Sequence, residues 1–218
     1  PYIMNNEVAF VATAAIIGEL PSNGTVYCPN PIGKQQLTVT HYLNLLLEGS
    51  VHYSPGAAIF RMKDIRANLL VTIPTQIPRD FSVNGAGPDV MLYALTALNY
   101  HQVILLPQAM VFFRAHSDSF TILNNENQVS SGYHAAISWF CKNNLSTAHW
   151  ANYVARLWWA DVKIKRSLVL LGNYSLSYEG RNSYSEITTL YKSAIILVML
   201  DLFRIFYRSI KKRCTNDA

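Results

Sequence analysis

One carboxylate in this chain stands where a base could act. Asp89 follows Gly85-Ala86-Gly87-Pro88 and comes at the start of a predicted helix. Glycines let a backbone approach a ligand closely, and a helix start favours an ionised carboxylate. A general base fits this position. An aspartate that only satisfies the free N–H groups of the helix also fits, and on local sequence alone it is the commoner case.

A polar cluster follows two apolar runs farther along the chain. Arg114 and His116 are two residues apart, so they would share one face of a continuing strand. The planar fork of Arg suits phosphate oxygens, and His binds a metal or a phosphate. Ser117 and Ser119 add hydroxyl groups. The cluster therefore fits a phosphate or metal site, or simply a strand that ends in a polar turn.

Two further segments have the composition of loops. Ser54-Pro55-Gly56 precedes an apolar strand and is either a loop that faces a substrate or, more commonly, an ordinary turn. Closely spaced prolines and glycines between Pro74 and Gly87 mark a long irregular segment. Long loops inside compact domains are usually functional.

Apolar runs and helical periodicity predict the elements that position these residues. The predicted strands are Val8–Ile17 (or a short buried helix), Thr25–Tyr27 in a hairpin closed at Asn23-Gly24, Ala57–Arg61, Val103–Leu106 and Ala109–Phe113, the last two broken at Pro107. The predicted helices are Thr38–Leu47, Met62–Leu70, Asp89–Asn99, Ser130–Lys142, Thr147–Lys163 and Glu186–Lys212. We therefore expect an α/β domain over residues 1–124 and a helical region over 125–218, with a boundary near Asn125.

Composition narrows the class of protein. Half of the 218 residues are apolar and 14% are charged, against about 25% in a typical soluble domain. Disorder is therefore disfavoured, and a large core or membrane contact is favoured. The net charge is +5, with the basic residues mainly at the C-terminal end, so we predict no nucleic-acid partner. Cys28, Cys141 and Cys214 are far apart and odd in number, which favours reduced thiols in the cytoplasm.

The last predicted helix combines an apolar face with a basic one. Its apolar run Ala194–Leu200 is too short to span a bilayer, and Asp201 interrupts any extension. The basic residues near its end are Arg204, Arg208, Lys211, Lys212 and Arg213. This combination favours a helix that lies on an anionic membrane surface, with a terminal helix docked on the domain as the alternative.

Several familiar catalytic motifs are absent from the sequence. It contains no Walker loop, no G-x-G-x-x-G after a strand, no G-x-S-x-G and no H-E-x-x-H. It also contains no D-x-D pair of carboxylates. A complete metal and nucleotide site is therefore not visible in these residues.

Three motifs in order resemble the C-terminal half of family 2 glycosyltransferases, which have the GT-A fold. They are S-P-G-A-x-x-F-R at residues 54–61, N-G-x-G-P-D at residues 84–89 and P-x-x-x-x-F-F-R-x-H-x-x-S-x-T at residues 107–121. The resemblance covers roughly Val8 to Thr121. Many relatives build bacterial capsule, lipopolysaccharide or other surface polysaccharides.

The resemblance implies roles for individual residues. Asp89 matches the catalytic base of the family, with Pro88 where an acidic neighbour often stands. The R-x-H-x-x-S element implies that Arg114, His116 and Ser119 lie near the donor diphosphate, with His116 near the metal. The implied acceptor-binding residues are Ser54, Pro55, Gly56 and Gly87.

The implied reaction moves a sugar, with inversion, from a nucleotide-sugar donor to a saccharide or lipid-linked acceptor. A divalent metal, Mg or Mn, is the implied cofactor. Pro1-Tyr2-Ile3 resembles the stretch just after the family's D-x-D, so we expect the nucleotide-binding part to precede it and this chain to be inactive alone.

The helical tail resembles the membrane-associating ends of such enzymes. It implies a peripheral protein in the cytoplasm, held on the inner face of the cytoplasmic membrane through residues 188–213. The competing hypothesis is a non-catalytic, membrane-associated interaction or scaffold domain that retains a GT-A-like remnant.

Overall fold

A mixed β-sheet with helices around it makes up much of the chain. The computed structural model describes residues 2–28, 33, 35–51, 54–73, 79–80, 87–115, 126–165 and 182–216. The strands are β1 (Val8–Gly18), β2 (Thr25–Tyr27), β3 (Gln36–Thr38), β4 (Ala58–Ile59), β5 (Thr72–Ile73), β6 (Arg79–Asp80) and β7 (Gln102–Arg114). The helices are α1 (Val39–Leu47), α2 (Met62–Asn68), α3 (Pro88–Leu98), α4 (Glu126–Phe140), α5 (Thr147–Lys165) and α6 (Tyr184–Asn216). The architecture is mixed α/β, as predicted.

The chain divides into two compact units, Pro1–Phe140 and Cys141–Ala218. The predicted boundary near Asn125 falls before α4, whereas the two units divide after it. α4 packs against α3 inside the first unit. The first unit is therefore one helix longer than the predicted α/β domain.

β1 and β7 form the central pair of a five-stranded sheet in the first unit. They run parallel, from Val8 opposite Gln102 to Gly18 opposite Arg114. β2 and β4 pair with the other edge of β1, and β3 pairs with the other edge of β7, all antiparallel. β1 is buried on both faces from its first residue, which explains why its apolar run does not alternate. The strand prediction for this run is confirmed.

The predicted break at Pro107 is a bulge inside one strand. Thr13 of β1 lies opposite Leu106, but the next residue, Ala14, lies opposite Ala109. Pro107 and the following residue therefore have no partner in β1, as expected for a residue without an N–H to donate. The prediction of two separate strands was wrong. The predicted strand over residues 57–61 is also shorter, and β3 and the β5–β6 ribbon were not predicted.

α3 occupies the centre of the first unit. Pro88 stands at its first position, where the missing N–H costs nothing. Most of its side chains are buried, as the apolar pattern predicts. Tyr93 packs nearly perpendicular to Phe10 of β1, with 4.8 Å between ring centroids, and Phe10 also packs against Tyr42 of α1 at 5.4 Å. The sheet and two helices thus share one aromatic core that holds α3 in place.

One arginine binds the backbone that leads into β1. Arg61, directly before α2, donates from Nη1 to the carbonyl of Val8 at 2.6 Å. Its Nη2 donates to the carbonyls of Ile3 and Asn5, each at 2.7 Å. The guanidinium also lies 4.9 Å from the ring centroid of Tyr100. A planar group with five donors suits several carbonyls at once, so Arg61 serves as a structural clamp.

In the second unit, α5 and α6 lie side by side and run parallel. One π-helical turn, Cys141–Leu145, comes just before α5, and its Lys142 Nζ lies 2.9 Å from Glu186 Oε1 near the start of α6. Farther along, Trp159 Nε1 donates to Asp201 Oδ2 at 2.9 Å. The start of α5 thus lies beside the start of α6, and residues farther along α5 lie beside residues farther along α6. Beyond Asp201, α6 extends well past the end of α5.

We expect Arg61→Ala to lower the free energy of unfolding by about 2–4 kcal/mol, because several carbonyls lose a charged donor. Arg61→Lys should recover only part of this, since one ammonium group cannot span the same acceptors. Urea unfolding measures the change. The matched control is Arg66→Ala on the exposed face of α2, which should change stability by less than about 0.5 kcal/mol. Equal losses in the alanine variants at the two positions would contradict the clamp.

Candidate functional site

Asp89 lies at the second position of α3, and its two carboxylate oxygens have different partners. Gly87, the residue before the helix, has a φ of 126°, a backbone conformation that favours glycine. Oδ1 accepts the N–H of Val90 at 2.9 Å, which is the local role expected at a helix start. Oδ2 accepts the hydroxyl of Tyr133, from α4, at 2.7 Å. The carboxylate therefore does more than cap its own helix.

The surroundings make Asp89 a stronger base than an ordinary aspartate. Burial is the largest influence and raises its pKa above the usual value of 3.8. The hydrogen bonds from Tyr133 and from the backbone act in the opposite direction and offset part of the rise. A carboxylate with a raised pKa at a helix start is a candidate for accepting a proton.

The Ser54-Pro55-Gly56 segment is held on the same helix. The hydroxyl of Tyr93 donates to the carbonyl oxygen of Ser54 at 2.8 Å. Tyr93 is four residues after Asp89, so the two side chains lie on one face of α3. The pKa of Tyr93 is raised, first by burial and also by the charge of Asp89. The structure thus brings two of the predicted site segments together through one tyrosine.

Gly56 has a packing reason for being a glycine. A Cβ at this position would lie 2.9 Å and 3.0 Å from two ring carbons of Phe113, near the end of β7. The segment also forms a tight turn over Pro55–Ala57, with the N–H of Ala57 donating to the carbonyl of Ser54 at 2.9 Å. The segment is therefore fixed between α3 and β7, and its predicted acceptor role stays a prediction.

Arg114 lies at the carboxyl end of the central strand pair. It is exposed and stands opposite Gly18 of β1, whose carbonyl accepts the N–H of Ala115 at 2.8 Å. Carboxyl ends of parallel strands are where α/β proteins commonly bind ligands. Because side chains alternate along a strand, Arg114 projects to the face opposite that of Phe113 and Gly56. Arg114 is not among the groups that act on Asp89 in the described part of the chain.

His116 and Ser119 lie outside the described residues, so their predicted roles stay predictions. Within the ranges that the structure describes, no three His, Cys, Asp or Glu side chains come together to hold a metal ion. The predicted Mg or Mn stays a prediction.

The sequence analysis missed two site residues. Tyr93 could have been found, because its spacing of four from Asp89 is the helical repeat. Tyr133 carries no local signal, since 44 residues separate it from Asp89 and it lies beyond the predicted domain boundary. A partner on a different helix becomes visible only once α4 packs on α3.

Replacing Asp89 should change how stability depends on pH. A raised pKa means that the folded protein holds this proton more tightly than the unfolded chain, where the value is near 3.8. The resulting stability is present below that value and is lost as the pH rises through the folded pKa. We expect Asp89→Asn to gain stability relative to the wild type as the pH rises above 3.8, measured by urea unfolding.

Asp201→Asn is a control in which the pH dependence of stability should have the opposite sign. The hydrogen bonds from Trp159 and then Lys163 lower its pKa below 3.8. Asp201→Asn should therefore lose stability relative to the wild type as the pH rises through 3.8. A relative stability of Asp89→Asn that stays flat, or falls as the pH rises, would contradict the raised pKa.

Comparison of the chain with protein-family models, with curated proteins and with solved structures found no match in any of the three.

Proposed function

We propose that this chain carries the acceptor-and-base side of an inverting glycosyltransferase of the GT-A fold, similar to family 2. The donor is a nucleotide sugar, and the acceptor is a saccharide or a lipid-linked saccharide. Synthesis of bacterial surface polysaccharide is the corresponding process. The observation that carries this proposal is the half-buried Asp89 with a raised pKa, next to a Ser54 segment bound by the same helix.

The fold and the order of the motifs support the proposal. The S-P-G segment, the aspartate at the start of α3 and the arginine at the end of β7 follow one another in the order of the family's motifs. α3 precedes a long strand that pairs in parallel with β1, so the start of the helix and the end of the strand lie toward the same end of the sheet. The chemistry of a transfer site is commonly found at that end.

Asp89 has one defined chemical role in this proposal. Its carboxylate takes the proton of an acceptor hydroxyl as that oxygen attacks the anomeric carbon of the donor. The new C–O bond forms on the face opposite the leaving nucleotide diphosphate, whose bond to the same carbon breaks with its electron pair. The anomeric centre is therefore inverted, and the proton ends on Asp89.

We expect Asp89→Asn to lower kcat by about 10²–10⁴-fold, the usual contribution of general-base assistance. The assay measures nucleoside diphosphate release from a panel of nucleotide sugars, with the protein expressed from its complete coding sequence. The control is Asp64→Asn in α2, where the amide oxygen can still accept the hydroxyl of Tyr100. Asp64→Asn should retain kcat within about twofold, since Asp64 lies outside the proposed site.

Near-wild-type turnover by Asp89→Asn would overturn the role of Asp89. A wild-type protein that releases no nucleoside diphosphate from any donor, yet binds membranes, would favour the non-catalytic scaffold.

The second part of the proposal places this protein on the inner face of the cytoplasmic membrane, through residues 188–213. Large apolar side chains along α6 are exposed: Tyr191, Ile195, Ile196, Met199, Leu200, Leu202, Phe203, Ile205, Phe206 and Tyr207. Residues 202–207 are exposed on every side of the helix; Arg204 lies among them and Arg208 follows directly. Exposed apolar surface of this extent beside basic groups suits an anionic lipid surface. Across the part of the chain that the structure describes, no helix has the length and apolar character to cross a bilayer.

We expect the chain to float with anionic vesicles, and we expect Phe203→Ser with Phe206→Ser to weaken this binding at least about tenfold. Each Phe loses about 1.5–3 kcal/mol of burial, and 1.4 kcal/mol corresponds to a factor of ten. Flotation on a density gradient measures the bound fraction.

Met110→Ser is the matched control for this experiment. Met110 lies on β7 in the first unit and is 71% exposed, so its loss should leave flotation unchanged. Equal flotation of the double serine variant and the wild type would mean that the apolar end of α6 meets protein instead of lipid.

A further inference from the structure

We propose that Tyr133 is a positioning residue for proton transfer, fixing the orientation of the Asp89 carboxylate toward the acceptor hydroxyl. This inference rests on the proposed function of Asp89 as a general base. It extends the site to α4, a helix that the family motifs do not reach.

The contacts leave the carboxylate with one orientation. Tyr133 donates to Oδ2 at 2.7 Å, and the N–H of Val90 donates to Oδ1 at 2.9 Å. One donor on each oxygen holds both ends of the group, so a turn about its Cβ–Cγ bond would break both bonds. The backbone N–H groups of Gly87 and of Asp89 itself also bond to the carboxylate, so its orientation is fixed from α4 and from the start of α3.

The position of Tyr133 is itself well supported. α4 packs against α3 within the first unit, and the small residues Gly132, Ala135 and Ala136 on either side of Tyr133 are buried. Fixing a phenol on a packed helix is a more precise means of orientation than fixing it on a loop. Tyr133 therefore reaches Asp89 from a rigid element that is separate in sequence from α3.

Within the described part of the chain, one ionisable side chain bonds to Asp89 and a second responds to its charge. Tyr133 approaches from α4 and donates a hydrogen bond, which lowers the pKa of Asp89 against the effect of burial. Tyr93 lies on α3 itself, gives its hydroxyl to Ser54 and responds to the charge of Asp89. Removing the Tyr133 hydroxyl thus removes a donor that stabilises the ionised, proton-accepting form.

The test is Tyr133→Phe, which keeps the ring and removes the hydroxyl. We expect kcat to fall roughly tenfold at the acid end of the pH–rate profile, the fold-change expected for a weak charge-assisted hydrogen bond. The loss should shrink as the pH rises, because Asp89 is then ionised in both proteins. A smaller loss should remain at high pH, because the carboxylate is no longer held by Tyr133. The KM for the donor should stay the same.

Tyr100→Phe is the matched control. The Tyr100 hydroxyl donates to Asp64 Oδ2 at 2.8 Å, so this variant breaks a tyrosine–aspartate bond of the same kind in the same unit. Its pH–rate profile should match that of the wild type. Thermal unfolding of both variants shows that any difference arises in folded protein.

A second readout needs no activity. The carboxyl signal of Asp89 in ¹³C NMR, assigned by its loss in Asp89→Asn, should titrate at higher pH in Tyr133→Phe than in the wild type or Tyr100→Phe. An unchanged midpoint overturns the inference, and so does a kcat that matches the wild type wherever Asp89 is ionised. A raised midpoint in a protein that turns over no nucleotide sugar supports the contact and rejects the proposed function.

Discussion

The parallel pairing of β1 with β7 is the interaction on which the first unit depends. It places Gly18 and Arg114 at the same end of the sheet, and it buries β1 on both faces. The aromatic contact between Phe10 and Tyr93 then holds α3 against this pair. Because the start of α3 carries Asp89, the geometry of the candidate site follows from the strand pairing.

The ionised form of Asp89, which its proposed role as a base requires, is disfavoured by burial. An exposed aspartate at a helix start would be ionised at little cost and would stabilise α3 through the helix dipole. Half-burial of this carboxylate disfavours its charge, and the hydrogen bonds from Tyr133 and from the backbone recover only part of the loss. A folded protein that retains such a group holds a base at the start of a rigid helix, which is a common compromise at catalytic sites.

Local sequence patterns predicted the main helices and strands, but they could not predict contacts between residues far apart in the chain. The apolar run of β1 and the pattern of α3 each show within a dozen residues, so both elements were predicted correctly. A proline inside an apolar run usually marks the end of a strand, so Pro107 led to the prediction of a break. That it lies in a bulge depends on the register with β1, which no local pattern reveals. The contacts of Asp89 with Tyr133 and of Ser54 with Tyr93 span 44 and 39 residues. These contacts depend on how the helices pack. The inclusion of α4 in the first unit depends on the same packing.

The parallel central pair has a consequence for biosynthesis. Val8 lies opposite Gln102, so β1 leaves the ribosome 94 residues before its main partner exists. At about 5–20 residues per second, this apolar strand waits about 5–20 s in the nascent chain. During that time the edge of β1 that will pair with β7 is unpaired and open to other chains. The parallel topology therefore leaves an aggregation-prone strand edge exposed until β7 has been synthesised.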